Sequence, residues 1–437
     1  MVVPLLLLLL AGGLRFARID EPSRIAFDEG HYVPDARDYL DRGVEAERPA
    51  HPPAAKWLIA ASISVLGDRP MGWRFASAAA GTVAVGATYL MGRQLFRPWW
   101  AGALAALLVA IDGLALTMSR IAMLDGIQAG FVAIGALFTL WDRHSSHRRW
   151  RWAGGVALGI GVAVKWSSAF ALLAAVALVL GAELVDRRQS TGTSAPAAAR
   201  GAVRSVMLPF IVLPVVIYVA SYAGWFANVE QSESGRDRCA PDCSITEVVS
   251  AWVFEQWDMW DLQRRLEADH PDRSRPTAWL TLGSPVLTYA EGCSPDPDPD
   301  DDCRVAPGTR ARVLALGNPA LWWTALAAYP YMAWLAIARR NRPAIFVSAF
   351  LAAQILPWFA SWKPGFAFYM TPVVPFVALA VVLALTRLSA RWRWAQLLPV
   401  AVALAAAGCA VWLYPIWTGM ELSPSALDAR LWLASWR

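Results

Sequence analysis

Charge is scarce in this chain. Of its 437 residues 17% are Asp, Glu, Lys or Arg, where a soluble domain carries about a quarter. Lysine is nearly missing: the 39 basic residues include only Lys56, Lys165 and Lys363, and all the others are Arg. This shortage excludes a water-soluble globule of this size. Histidine is also sparse, with five residues, and neither an HExxH pair nor a Ser/His/Asp arrangement is present. Gly159 and Gly161 before Lys165 have the wrong spacing, in an apolar segment, for a phosphate loop; they suit close helix packing instead. His144 and His147 lie in a basic connection and read as solvated residues. No internal repeat is visible. The net charge of +5 does not indicate nucleic acid, because the Arg residues fall between apolar runs and form no stripe on a soluble fold.

Long apolar runs are abundant. Hydrophobic residues make up 57% of the chain, and there are 24 Trp, a residue that collects at membrane interfaces. Runs of about twenty apolar residues span a hydrocarbon core. They predict an all-α polytopic membrane protein with about eleven transmembrane helices, at 2–19, 72–92, 100–118, 122–141, 151–164, 167–185, 203–224, 314–338, 344–360, 366–386 and 395–416. The first run lacks the basic start of a signal peptide, so it reads as a span. Basic connections at Arg93/Arg97, Arg143 to Arg151, Arg187 to Arg204, Arg339 to Arg342 and Arg387 to Arg393 all fall on one side, which is then cytoplasmic. The N-terminus is expected inside and the C-terminus outside, in the plasma membrane.

Two long loops, 20–70 and 225–313, then lie outside. They divide the chain into an N-terminal module 1–224, an extracytoplasmic loop 225–313 and a C-terminal four-helix region 314–437. Ala54 to Leu66 is apolar but too short to span, and Ile245 to Leu266 is amphipathic and rich in Trp; both are expected as interfacial helices. Pro295 to Asp302 reads as a solvated tip. Cys239, Cys243, Cys293 and Cys303 fall in the second loop with spacings unsuited to structural zinc, and an external loop favours disulfides. Four cysteines allow three pairings. Cys409 lies alone in an apolar run.

The candidate chemistry gathers at the outer edge. Asp28 and Glu29 are adjacent carboxylates just beyond the first span, where ionised groups are costly. The same edge presents Arg74, Arg120 with Asp125, Lys165 and Lys363. A carboxylate serves as a general base, and cations hold a phosphate and stabilise it as a leaving group. This set suits attack on a group carried by a lipid phosphate. For any one cation, snorkelling to the interface is the simpler reading; their convergence favours a site. His31 and His51 read as hydrogen-bonding companions. Asp112, deep in an apolar run, reads as pairing with a cation or sitting against Gly-lined packing, and ranks below the others as a site residue.

The segments FDEGHY (27–32), HPPAAK (51–56), GWRFASAAAG (72–81), SRIAMLD (119–125) and GVAVKW (161–166) together closely resemble the protein O-mannosyltransferase family. The likeness extends to HPDRSRPTAWLTLGSP (270–285), GNPALWW (317–323) and FAFYMTPVVPF (366–376), and so covers nearly the whole chain. The second loop is too short for the extra (MIR) domain of eukaryotic members, as in the bacterial, notably actinobacterial, branch. The chain departs from the family in carrying Lys363 where Arg is common, and Phe368–Tyr369–Met370 where a Tyr-His pair is common.

The resemblance implies a GT-C membrane glycosyltransferase fold and an outward-facing, inverting transfer of mannose. The donor would be polyprenyl-phosphate mannose, and the acceptors Ser or Thr hydroxyls of translocated polypeptides, with the secretion translocon as a further partner beside membrane lipid. Asp28 would be the base and Glu29 would position base or acceptor. Arg74, Lys56, Arg120, Lys165 and Lys363 would hold the donor phosphate, with His31, His51, Asp125 and Tyr369 in support. The scheme requires no metal; related GT-C enzymes use divalent ions, so Mg or Mn stays open. The rival readings are a GT-C transferase with a lipid or cell-wall glycan acceptor, and a transporter or lipid-binding scaffold, whose ionisable groups would sit nearer the midplane.

Overall fold

The computed structural model describes residues 2–47, 49–145, 148–191, 194–239, 241–265, 270–296, 302–361 and 365–437. Lys363, His147 and most of the Pro295 to Asp302 tip lie outside the described residues. The chain runs through α1 (Val2–Phe16), then α2 (Glu29–Arg42) and α3 (Ala54–Leu66) in the first long loop. The helices α4 (Pro70–Leu95), α5 (Trp99–Ala110), α6 (Gly113–Arg120), α7 (Leu124–Asp142), α8 (Arg149–Val164), α9 (Ser168–Thr191), α10 (Ala195–Met207) and α11 (Leu213–Ser221) follow. The second long loop holds α12 (Ala223–Ala227), α13 (Glu233–Arg238), α14 (Ile245–Arg265), α15 (Pro276–Thr281) and the strands β1 (Val286–Gly292) and β2 (Arg310–Ala315). The C-terminal region is α16 (Pro319–Ile337), α17 (Arg342–Ala360), α18 (Val374–Arg391), α19 (Leu398–Thr418) and α20 (Pro424–Asp428).

A helix stands at each place where the sequence predicts a span. Among the described residues seven are long and apolar enough to cross a membrane: α4, α7, α9, α10 continued through α11, α17, α18 with the turn before it, and α19 with the turn before it. The pair α5–α6, bent by 56°, makes an eighth if taken as one span. Local chemistry sets the boundaries. Proline opens α4, and Asn318 and Asn341 cap α16 and α17 by accepting the Ala320 and Ala344 amides, each at 3.1 Å; Pro at the first turn lacks only an N–H that would be unpaired anyway. Pro209 and Pro214 have no amide to donate, and a π-helical turn over Leu208–Val212 carries α10 into α11.

The bend at Asp112 explains the charge deep in an apolar run. Its Oδ1 accepts the Ala115 amide at 2.9 Å and caps α6. Its Oδ2 accepts the Asn318 amide at 2.8 Å and the Trp322 indole N–H at 2.9 Å. Asp112 ends one helix, starts the next and ties both to α16.

The centre of the bundle is α18, which packs on α16, α17 and α5 and is almost wholly buried; α7 packs between α4 and α8. The outermost helices keep apolar faces exposed, as with Val400, Leu404 and Val411 on α19, the expected arrangement where the solvent is hydrocarbon. Helix α14 exposes Ile245, Val249, Val253, Trp257 and Trp260 along one stripe and buries Ala251, Glu255 and Met259 on the other.

The cysteines pair as Cys239–Cys243 and Cys293–Cys303. The second bond lies at the end of the sheet that departs from an all-helical chain among the described residues, the antiparallel ribbon β1–β2, which pairs Val286 with Ala315 and Leu287 with Leu314, shifts register by one residue at a bulge before Tyr289, and runs on to Gly292 opposite Arg310. β2 also bridges to Leu422, through mutual Arg310–Leu422 backbone bonds of 2.9 Å.

Candidate active site

The adjacent carboxylates Asp28 and Glu29 part company in the fold. Phe27, before them, holds φ at +51°, a left-handed conformation that costs a non-glycine residue about 1 kcal/mol or more. The kink makes Asp28 the N-cap residue of α2, yet its side chain makes no capping bond. The carboxylate, half-buried, accepts only a long bond from the Tyr32 hydroxyl, at 3.4 Å. Burial raises the Asp28 pKa; the nearby Lys165 ammonium opposes this and Asp125 adds to it.

Glu29 points the other way and is fully buried. Arg74 grips it through Nε at 2.7 Å and Nη2 at 2.9 Å, and the amides of Ala26 and Ala122 donate to it at 2.8 Å each. Arg74 gives its other donors to the carbonyls of Ile19, Pro22 and Arg24, at 2.9, 2.8 and 3.1 Å. All five N–H groups of this guanidinium are thus used inside the protein. Arg120 is engaged through Nη1 and Nη2, which donate to the carbonyls of Leu14, Arg15, Ala17 and Arg18 between 2.6 and 3.0 Å while its buried Nε has no partner, and so caps the C-terminal end of α1, where a cation also meets the helix dipole.

Lys165 stays with the site. It lies in the turn between α8 and α9, and its Nζ donates to both oxygens of Asp125, at 2.8 Å each. It also faces the rings of Tyr369 at 4.9 Å and Phe368 at 5.6 Å. Gln128 steadies the turn by donating to the hydroxyls of Ser167 and Ser168 at 2.8 and 3.0 Å. Tyr369 stacks on Trp358 at 4.6 Å.

Lys56 sits in a second cluster. It is buried, pairs with Asp35 at 3.0 Å and with Glu45, and Tyr39 donates to Glu45 at 3.1 Å. Burial pushes Glu45 up to about 8 against the pull of Lys56. Burial works against the Lys56 charge, but Glu45 and Asp35 outweigh it and hold the ammonium protonated. His51, beside Tyr32 at 6.2 Å, is kept neutral: burial, Lys165 and Lys56 lower its pKa well below the ordinary range. His31 is exposed.

Sequence reasoning missed Tyr32 and an aromatic wall beside Asp28. Phe27 meets His270 at 5.8 Å, Phe368 at 5.6 Å and Phe366 at 6.4 Å, and His270 meets Phe366 at 5.5 Å. Phe27 lies more than two hundred positions from the other two segments, which are themselves about a hundred apart, and aromatic side chains carry no charge pattern to betray a site; only their place inside the quoted motifs could have found them.

The arrangement offers a half-buried carboxylate with no structural duty, a lysine beside it and an aromatic surface. It can take a proton from a hydroxyl and steady an anion. Among the described residues no three His, Cys, Asp or Glu side chains gather where they could hold a metal ion.

Comparison with known proteins points the same way. Residues 67–227 match the dolichyl-phosphate-mannose-protein mannosyltransferase family, and residues 248–436 match the C-terminal four-TMM region of protein-O-mannosyltransferase. A polyprenol-phosphate-mannose–protein mannosyltransferase from Mycobacterium tuberculosis is 30% identical over 464 residues, 94% of this chain and 86% of that protein. The S. cerevisiae protein O-mannosyltransferase Pmt1–Pmt2 complex bound to the sugar donor superposes with a TM-score of 0.84 at 13% identity, covering 99% of this chain and 92% of that one. ArnT from Cupriavidus metallidurans bound to undecaprenyl phosphate gives 0.54 at 20% identity, over 94% of this chain and 64% of its own.

Proposed function

The chain belongs to the dolichyl-phosphate-mannose–protein mannosyltransferase family and has its GT-C fold, and on that premise we propose that it moves mannose from polyprenyl-phosphate mannose to Ser and Thr hydroxyls of proteins. The observation that carries the site assignment is the contrast between the two adjacent carboxylates. Glu29 is consumed by Arg74 and two amides, while Asp28 is half-buried, accepts only the long Tyr32 bond and lies within the field of Lys165.

In this reading Asp28 takes the proton from the acceptor hydroxyl as its oxygen attacks the anomeric carbon. The C–O bond to the phosphate breaks on the opposite face, with inversion, and the electron pair leaves on the phosphate. Lys165 has one N–H beyond the two given to Asp125 and steadies the departing anion, with Lys363 as its partner. Arg74, Arg120 and Lys56 support the site from behind: Arg74 fixes the Phe27–Glu29 turn, Arg120 anchors α1, and Lys56 holds α3 to the first loop. Asp125 orients Lys165, Tyr369 covers it, and His51 and His31 flank the acceptor's path. The scheme works without a metal, since the cations meet the phosphate charge.

The site belongs on the extracytoplasmic side of the plasma membrane, with the N-terminus inside and the C-terminus outside. Two disulfides in the second long loop support this side, because such bonds persist in oxidising compartments. Residues 1–224 act as the catalytic module, 225–313 as an external cover and 314–437 as the closing helices, with acceptors arriving from the secretion translocon.

The test is transfer of radiolabelled mannose from polyprenyl-phosphate mannose to a Ser/Thr-rich peptide, using wild type and Asp28→Asn at matched expression. Loss of a general base lowers transfer by about a hundredfold or more. Unchanged transfer by the variant would remove Asp28 from this role. A well-expressed wild type that transfers nothing to peptide, yet does so to a lipid or cell-wall glycan, would replace the acceptor.

A further inference from the structure

Beside the Asp28 carboxylate stands a surface that the catalytic reading leaves unused. Phe27, His270 and Phe366 are each partly exposed, while Phe368 beneath them is buried. Phe366 and Phe368 lie nearly parallel, 5.2 Å apart and 9° between planes, and His270 stands edge-on to Phe366 at 77°. The backbone holds the wall rigid. Ser274 and Gly365 exchange both amide bonds, at 2.9 and 3.0 Å, and so fasten the His270 segment to the Phe366 segment. The Trp279 indole N–H adds a bond to the Ser274 hydroxyl at 2.9 Å.

The wall also carries one oriented polar group. The Asp272 amide donates to His270 Nδ1 at 3.2 Å. A neutral imidazole accepting at Nδ1 bears its proton on Nε2, so Nε2–H is the donor left for a ligand. Aromatic faces are electron-rich, and the C–H groups on one face of a pyranose are weakly positive, so the two stack. The hydroxyls on the ring's rim can accept from the Nε2–H.

We propose that Phe27, His270 and Phe366 form the seat of the transferred sugar ring, with His270 Nε2 donating to one of its hydroxyls. This rests on the reading of the site as sugar transfer. The left-handed turn at Phe27 then has a purpose: it presents the platform ring and the Asp28 carboxylate from consecutive residues, fixing the sugar relative to the base. The acceptor peptide approaches from the other side of Asp28 and does not lie on the wall.

The test compares binding of polyprenyl-phosphate mannose and of bare polyprenyl phosphate to the full-length protein in nanodiscs, for wild type, Phe366→Leu, His270→Ala and His270→Gln. Wild type should bind the mannosylated lipid more tightly than the bare one. Phe366→Leu and His270→Ala should each weaken binding of the mannosylated lipid by about three- to tenfold, leave the bare lipid unchanged and leave the KM for peptide unchanged. His270→Gln, which restores a donor, should recover part of the loss. Equal weakening of both lipids, a change confined to peptide KM, no change at all, or no preference in the wild type would each overturn the seat. If Phe366→Leu fails to fold, the half-exposed His270 pair decides alone. Wild type that transfers no mannose would sink the functional reading itself, whereas active wild type with indifferent variants sinks only the wall.

Discussion

Glu29 and Arg74 meet through two parallel hydrogen bonds, of 2.7 and 2.9 Å, with both side chains shut off from solvent. The pair spans from the start of α2 to the first turns of α4 and also collects the carbonyls of Ile19, Pro22 and Arg24. It turns the stretch between α1 and α2 into a fixed frame, and Asp28 takes its place from that frame. On the proposed function, one of two neighbouring acids holds the turn in place so that the other can act as the base.

Removing one partner of this pair should therefore damage the fold before the chemistry. Glu29→Gln leaves the guanidinium buried without its anion, and loss of one partner of a buried pair costs about 3–5 kcal/mol. Thermal unfolding in detergent should show a marked drop in midpoint for Glu29→Gln and for Arg74→Ala. Asp28→Asn should unfold within a degree or two of wild type. A Glu29→Gln protein as stable as wild type but inactive would make Glu29 a catalytic group.

The base should titrate late. An acid whose pKa is raised keeps its proton to higher pH, and the base must be ionised to work. Activity should thus fall as pH drops through a midpoint above the ordinary aspartate range, because burial holds Asp28 up. The Tyr32 hydroxyl stabilises the ionised form, so Tyr32→Phe should move the acid limb of kcat/KM further up. A limb that stays put, or moves down, would separate Tyr32 from the base.

The membrane class, the helix positions and the grouping of Asp28, Lys165 and Asp125 follow from features that a sequence displays, long apolar runs and charges at their ends, whereas Tyr369 entered only through the family resemblance. What could not be read was how donors are spent. Arg74 and Arg120 look like phosphate ligands in a linear reading, since nothing in the residues near them reveals the carbonyls of 14–24 that they bind. Those partners lie 50 to 106 positions away. The β1–β2 ribbon was missed for a related reason: its strands are short, lie in a polar loop and are closed by the Cys293–Cys303 bond, whose pairing no spacing rule selects.

That bond should matter more than its neighbour. Closing a ten-residue separation restrains the unfolded loop by about 2–3 kcal/mol in the chain-entropy account, and a four-residue one by less. The Cys293→Ser/Cys303→Ser variant should expose the ribbon to limited proteolysis near β1, while the Cys239→Ser/Cys243→Ser variant leaves it protected. Non-reducing peptide maps should recover these two pairs. A crossed pair, such as Cys243 with Cys293, would show that the loop is folded differently.

Gly365 offers the sharpest single-atom test of how the site is held. A Cβ there would lie 2.7 Å from a Tyr369 ring carbon and 3.1 Å from two atoms of the Trp279 ring. Tyr369 has no room to retreat: Trp358 stacks on it at 4.6 Å, Trp279 stands edge-on at 5.9 Å and the Lys165 ammonium lies 4.9 Å over its face. Overpacking of this kind costs about 1–3 kcal/mol, and the easier movement is for Gly365 to pull away from Ser274. Breaking that bridge parts the Phe366 segment from the His270 segment and loosens the cover on Lys165. Gly365→Ala should lower mannose transfer by tenfold or more while the protein still folds. Gly408→Ala, where nothing lies within 4 Å of the new carbon, should leave transfer at the wild-type rate. If Gly365→Ala transfers as well as Gly408→Ala, the aromatic layer over Lys165 yields freely, and rigidity there plays no part in the reaction.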